Sequence, residues 1–260
     1  MLMGMLTAYA DASGTDGYSS IVTIAGYVSD VNSWEAFRVE WNEYRSNNGI
    51  DVFHATDMAS NRRAFSSKNG WTKNRCLSAL RIADNIIAKH TMQAFVGYTT
   101  IAECKELIPH KDSKLGSRRP FSMEYVIAGM GFIKVLKKWA SAQHHKEPIR
   151  LVFEKGDQGK GYLQYLLDWI RANDDENGVI GEHSFEDKKE FVQLHAADRI
   201  ANMACRGINE FRRGGNRFDP KVARKLRLDN CHTSILDEEN WSEMKARVQP
   251  IIDQVYEKPS

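Results

Sequence analysis

Three carboxylates and a histidine stand where chemistry could be done. Asp11 closes residues 6–11, where Leu6, Ala8 and Ala10 alternate with Thr7, Tyr9 and Asp11 in the period of two that a strand shows. A carboxylate at the open end of a rigid strand serves either as a metal ligand or base, or simply starts the turn that follows at Ser13-Gly14. Glu154 ends a second apolar strand, residues 149–154. Asp198 falls among Leu194, Ala197, Ile200, Ala201 and Ala204 on a helix over residues 191–211. An aspartate among alanines is expensive to bury as an anion unless it is paired or bound to a cation, which makes it more informative than a surface carboxylate. His54 follows a short apolar strand, residues 50–53, and Asp57 lies one helical turn beyond it. The two share one site if residues 55–58 turn helically; the alternative is a backbone-bonded histidine and a helix-capping aspartate.

These groups need elements to hold them. Residues 19–28 read as a second strand, making a hairpin with the first. Trp34, Phe37, Trp41 and Tyr44 recur at three and four and predict an amphipathic helix over 33–44. Residues 61–70, with Arg62, Arg63 and Lys68, read as a loop; 75–88 as a helix; 92–101 as a strand. Residues 109–120 form a basic loop, 121–142 the longest helix, with Gly129 and Gly131 permitting close approach. The glycines of 155–161 lack the spacing of a phosphate-binding P-loop and read as a strand-to-helix turn before a helix over 162–172. A strand over 179–185 follows, and a helix over 240–256, bent at Pro250, closes the chain. An antiparallel opening followed by βαβ connections predicts a mixed sheet with helices outside. If strand 149–154 lies beside strand 6–11 and parallel to it, Asp11 and Glu154 leave the sheet about 4.8 Å apart. The helix carrying Asp198 then brings a third carboxylate. Three carboxylates in one place repel and call for a divalent cation, and hard oxygen ligands select Mg2+ or Mn2+.

Bulk properties exclude several classes. The chain has 260 residues, 42% hydrophobic and 27% charged, with a net charge of +2. A nucleic-acid surface must therefore come from local clusters such as Arg118 with Arg119, or Arg212 with Arg213. These clusters read either as phosphate contacts or as solvated connections. Cys76, Cys104, Cys205 and Cys231 form no Cys-x-x-Cys pair, which argues against a zinc ribbon and for a reducing compartment. No run approaches the roughly 18 apolar residues of a membrane helix, so a cytoplasmic protein is expected.

Four blocks carry a resemblance. Asp11-Ala12-Ser13-Gly14 resembles an Asp-Glu-Ser-Gly opening, and Phe53-His54-Ala55-Thr56-Asp57 a Phe-His-x-x-Asp block. Phe153-Glu154-Lys155-Gly156-Asp157 resembles Phe-Glu-x-Gly-Asp, and Leu194-His195-Ala196-Ala197-Asp198 resembles Leu-Gln-Ala-Ala-Asp. In this order they are similar to the bacterial and phage family called domain of unknown function 3800. The resemblance implies an α/β, ribonuclease-H-like mixed β-sheet flanked by helices. It is read as one domain over 1–260, with an insertion around 50–75 and a C-terminal helical extension at about 215–260.

It also implies a divalent-metal-dependent nuclease or phosphodiesterase. Asp11, Glu154 and Asp198 would hold Mg2+ or Mn2+, with Asp157 and Asp57 as further ligands. His54 would act as general acid or base, or orient water. Arg118, Arg119, Arg212 and Arg213 would receive the backbone of RNA, DNA or a hybrid. Two departures stand out: Ala12 replaces the family's glutamate and His195 its glutamine. They keep open a catalytically degenerate module binding nucleic acid or protein, and a small-molecule phosphohydrolase is a third reading.

Overall fold

Alternation along the first strand decides which way the site faces. In β1 (Leu6–Ser13), Leu6, Ala8 and Ala10 enter one apolar core while Tyr9 enters the core on the opposite face. The strand runs two residues past Asp11, because antiparallel pairing with β2 (Ile21–Asp30) continues to Ser13↔Thr23. A computed structural model of the chain describes residues 5–15, 19–102, 104, 123–156, 160–173, 178–212 and 232–234. After β2 come α1 (Val31–Asn48), α2 (Ala55–Ala59), two 3-10 turns (Arg63–Phe65 and Ser67–Asn69), α3 (Lys73–His90) and β3 (Gln93–Thr100). Then follow α4 (Met123–Ala142), β4 (Ile149–Glu154), α5 (Lys160–Asn173), β5 (Ile180–Glu186), α6 (Leu194–Arg212) and β6 (His232–Ser234).

The strands form one sheet in the order β5-β4-β1-β2-β3-β6. β1, β2 and β3 are antiparallel neighbours, whereas β4 runs parallel to β1, β5 to β4 and β6 to β3. A mixed sheet of this order, an antiparallel meander extended by parallel strands and flanked by helices, is the ribonuclease-H-like α/β arrangement that the residue blocks imply. One core lies between the sheet and α4 and α5. The other holds α1, α2, α3 and α6 against the opposite face, with α6 across β1 and β2. Among the described residues, no helix is long and apolar enough to cross a membrane.

Close approach falls chiefly at a glycine that the pattern did not single out. A Cβ added to Gly97 of β3 would sit inside the backbone of α4 at Ala128 and Phe132, so helix and sheet meet there with no side chain between them. Gly129 of α4 does make room as expected, for Leu163, whose Cδ1 would lie 2.6 Å from an added Cβ. Overpacking against backbone costs about 1–3 kcal/mol or more. Gly97→Ala is therefore expected to lower the unfolding free energy by about 3 kcal/mol, measured by urea denaturation; an unchanged midpoint would refute the contact.

One expected strand is absent. Residues 50–53 pair with no strand. Gly49 ends α1 in the left-handed conformation at φ 64°, and Ile50 N–H donates to Arg45 O at 2.9 Å. The Arg45 guanidinium then donates to the carbonyls of Ile50 and Asp51. The segment thus spends its backbone groups on the end of α1, leaving fewer for a sheet. The expected basic loop at 109–120 and the expected helix at 240–256 lie outside the described residues.

Candidate active site

Strand parity and register bring the first two carboxylates together. Ala10 pairs with Phe153 in the parallel β1–β4 ladder, so Asp11 and Glu154 are the next residues along. Tyr9 and Val152 enter the core beneath α6. Residues two further on point the same way, so Asp11 and Glu154 both turn toward that helix. The apolar face of α6, through Leu194, Ala197, Ile200 and Ala201, seats it on the sheet and delivers Asp198 to the same place. Thr23 Oγ1 on β2 donates to Ala201 O at 3.3 Å and fixes the helix one turn beyond Asp198.

The centre of this cluster is a residue the sequence reading did not identify. Lys188 Nζ donates to Glu154 Oε2 at 2.7 Å and stands 3.7 Å from both Asp11 Oδ2 and Asp198 Oδ2. Asp11, Asp198 and Lys188 are all buried. Asp198 Oδ2 also accepts the Ala55 backbone N–H at 3.0 Å, the first residue of α2. His54 lies at the rim, its half-exposed ring placing Nδ1 3.8 Å from Asp198 Oδ2. It is the residue before α2 and makes no side-chain cap; Asp57 sits in the first turn, not at the cap. Asp57 Oδ2 faces the exposed Arg63 guanidinium at 3.6 Å. Arg63 and Asn61 both hold left-handed backbone, at φ 50° and 52°. Such conformations in non-glycine residues cluster at functional sites. The three carboxylates, Lys188, His54, Asp57 and Arg63 line a cleft of about 600 Å³.

Burial raises the carboxyl of Asp11 well above its usual range; Lys188 opposes this, while the charges of Glu154 and Asp198 and a hydrogen bond with Glu154 add to it. Asp198 is raised by burial too, against Lys188 and the Ala55 N–H. Burial also works against the charge on Lys188, but Asp198, Asp11 and Glu154 outweigh it and hold the ammonium protonated. Three carboxylates against one ammonium leave a formal excess of two negative charges.

A hard divalent cation suits this cluster in donor type and in charge. The spacing, however, is that of an ammonium. Among the described residues no group of three or more His, Cys, Asp or Glu side chains is placed to hold a metal ion as it stands. A magnesium ion requires oxygens at about 2.0–2.1 Å, so the carboxylates would have to draw inward.

Of the other expected residues, Asp157, Arg118, Arg119 and Arg213 lie outside the described residues. Arg212 is exposed at the last residue of α6 and does not line the cleft; Arg63 and Lys155 do. Arg63 belongs to the 61–70 segment read as a loop, where its positive charge was the available signal.

His195 does not orient Asp198. Its Nδ1 accepts the Trp41 indole N–H at 2.8 Å, so the proton is on Nε2, which is buried without a partner. Burial, aided by Arg45, Lys188 and His54, pushes its pKa well below the usual histidine value. The native ring therefore refuses a proton that the unfolded chain accepts below pH about 6.5, and stability falls as pH drops through that value. Wild type is expected to lose about 1.4 kcal/mol per pH unit relative to His195→Gln below that point. Glutamine can still accept from Trp41. Urea unfolding at pH 7 and 5.5 measures the difference, and parallel slopes would contradict a buried neutral ring.

Neither protein-family models nor curated proteins match the chain. Among solved structures it is similar to the one described as the crystal structure of Bst-RNase HIII in complex with Mn2+, at 13% sequence identity and a TM-score of 0.41. The match covers 87% of this chain and 63% of that one, so this chain spans under two thirds of its neighbour's length.

Proposed function

We propose that the protein is a divalent-cation-dependent nuclease or phosphodiesterase, and a divergent member of the domain of unknown function 3800 family. The observation that carries this reading is the meeting of Asp11, Glu154 and Asp198, from three distant stretches, in one cleft with an excess of negative charge. The order of the four residue blocks supports it. Asp11, Glu154 and Asp198 would hold Mg2+ or Mn2+, which when bound supplies Lewis acidity toward a phosphoryl oxygen and an activated water. The chain's own groups do the rest. His54, half exposed and beside Asp198, is placed to orient a water or move a proton at Nδ1. Arg63 and Lys155 at the cleft supply positive charge for a phosphate backbone. The Ala55 N–H fixes the Asp198 carboxylate that it touches.

The test is a panel of labelled single-stranded, duplex and RNA–DNA hybrid oligonucleotides, with p-nitrophenyl phosphate beside them, in Mg2+, Mn2+ or excess chelator. Cleavage of an oligonucleotide in Mg2+ or Mn2+ that stops with chelator is expected. Equal cleavage in chelator would end the cation-based reading. A second reading, a binding module without catalysis, is favoured by the ammonium of Lys188 already among the carboxylates. Retention of an oligonucleotide in a gel with no cleavage under any condition would select it. Turnover of the small phosphate ester alone would select a phosphohydrolase.

A further inference from the structure

We infer that Lys188 takes the place of a second divalent cation, so that the cluster is a centre for one ion plus one ammonium. The inference rests on the cation-dependent reading above and specifies its stoichiometry. Counter-charge is the first ground. Asp11, Glu154 and Asp198 face Lys188, and the remaining carboxylate of the cleft, Asp57, faces Arg63. Lys155, the third cation of the cleft, is offset by Asp187; four carboxylates against Lys188 and Arg63 then leave a formal charge of minus two, which one divalent ion balances. A second ion would leave the cleft with a net positive charge beside the buried Lys188 ammonium, which is costly.

Geometry is the second ground. A surface lysine pairs with one carboxylate and keeps its head in water; Lys188 is buried and reaches all three. Its backbone is also held. The end of β5, two residues before Lys188, is tied to the residue after β4 by Lys155 N–H donating to Glu186 O at 2.8 Å. Asp187 accepts the Lys189 N–H at 2.9 Å and pairs with Lys155 Nζ at 3.4 Å. The Phe191 N–H closes the turn onto Asp187 O at 2.9 Å. An ammonium delivered from a fixed turn to the junction of three carboxylates is a built-in cation. Lys188 is thus a positioning residue, setting where the carboxylates stand and how many ions they accept.

The test counts ions without relying on turnover. Full-length protein stripped by chelator is titrated with Mn2+ by calorimetry, with free Mn2+ counted by electron paramagnetic resonance. Wild type is expected to bind one ion per chain. Lys188→Met is expected to bind two, or to bind one at least about tenfold more tightly because the nearby positive charge is gone. Lys188→Arg should retain one. Circular dichroism checks the fold of each variant, and if Lys188→Met does not fold, the wild-type and Lys188→Arg counts decide.

Two ions in the wild type would overturn the inference. So would a folded Lys188→Met indistinguishable from wild type in number and affinity. If wild type binds one ion and cleaves with it while the variant matches it, only the role of Lys188 fails. If wild type binds no Mn2+, the cation-dependent reading fails as well.

Discussion

Asp11→Asn is expected to cut divalent-cation-dependent cleavage by about 10²–10³-fold or more, the loss seen when one fixed electrostatic group of an active site is removed. Asparagine keeps the shape and removes the charge. Asp11 is buried beside Glu154 and Asp198, and its carboxyl is held above its usual range by that burial. Its negative charge therefore works against the fold at neutral pH. The sign follows from the raised folded value: the stabilising proton is present at low pH and lost as pH rises through that value. Asp11→Asn should thus unfold at an equal or higher urea concentration than wild type at pH 7 without added cation. Activity falling while stability holds or rises is the expected pair of results, as at sites where function opposes stability. A variant that cleaves as fast as wild type would remove Asp11 from the site. One that loses activity together with its fold would show that its role is packing.

The second large effect is structural and lies next door. Asp84 on α3 and Arg199 on α6 form a two-pronged buried ion pair, with Nε to Oδ1 at 2.7 Å and Nη2 to Oδ2 at 2.9 Å. Both side chains are nearly covered, so removing either partner strands a buried charge. Arg199→Met or Asp84→Leu alone is expected to cost about 3–5 kcal/mol. That is a large part of the roughly 5–15 kcal/mol a domain possesses. Apolar replacement of both partners is often neutral, so the double variant should recover most of the loss. Urea unfolding of the four proteins of a double-mutant cycle measures this, and additive losses would contradict the pairing. Arg199 follows Asp198 on the same helix, so the single variants should also loosen the candidate site.

Much of this arrangement was legible in the residues. The alternation of Leu6, Ala8 and Ala10 with Tyr9 marks the strand and its two faces; the parallel placement of the strand ending on Glu154 enters the sequence reading only as a condition, which the β1–β4 ladder meets. Asp198 stood out because an aspartate among alanines needs a partner. Asp84 carries the same signal, lying among Leu80, Ala83 and Ile87 on the buried face of α3. Lys188 gives no such signal. In Asp187-Lys188-Lys189-Glu190 it looks like part of a solvated charge run, and only carboxylates from elsewhere explain its burial. The same holds for the missing strand at 50–53, where an apolar run was overridden by hydrogen bonds from Arg45.

The contact between the Ala55 N–H and Asp198 closes 143 residues of chain. A loop of that length forms late, because its closure entropy must be met before the ends reward it. A ribosome-bound chain that has emerged only through β4 lacks both Lys188 and α6, and so lacks the means to gather its acidic groups. Competence to trap an ion would therefore arrive with the last steps of folding, and Mn2+ uptake during refolding would serve as a clock for their completion.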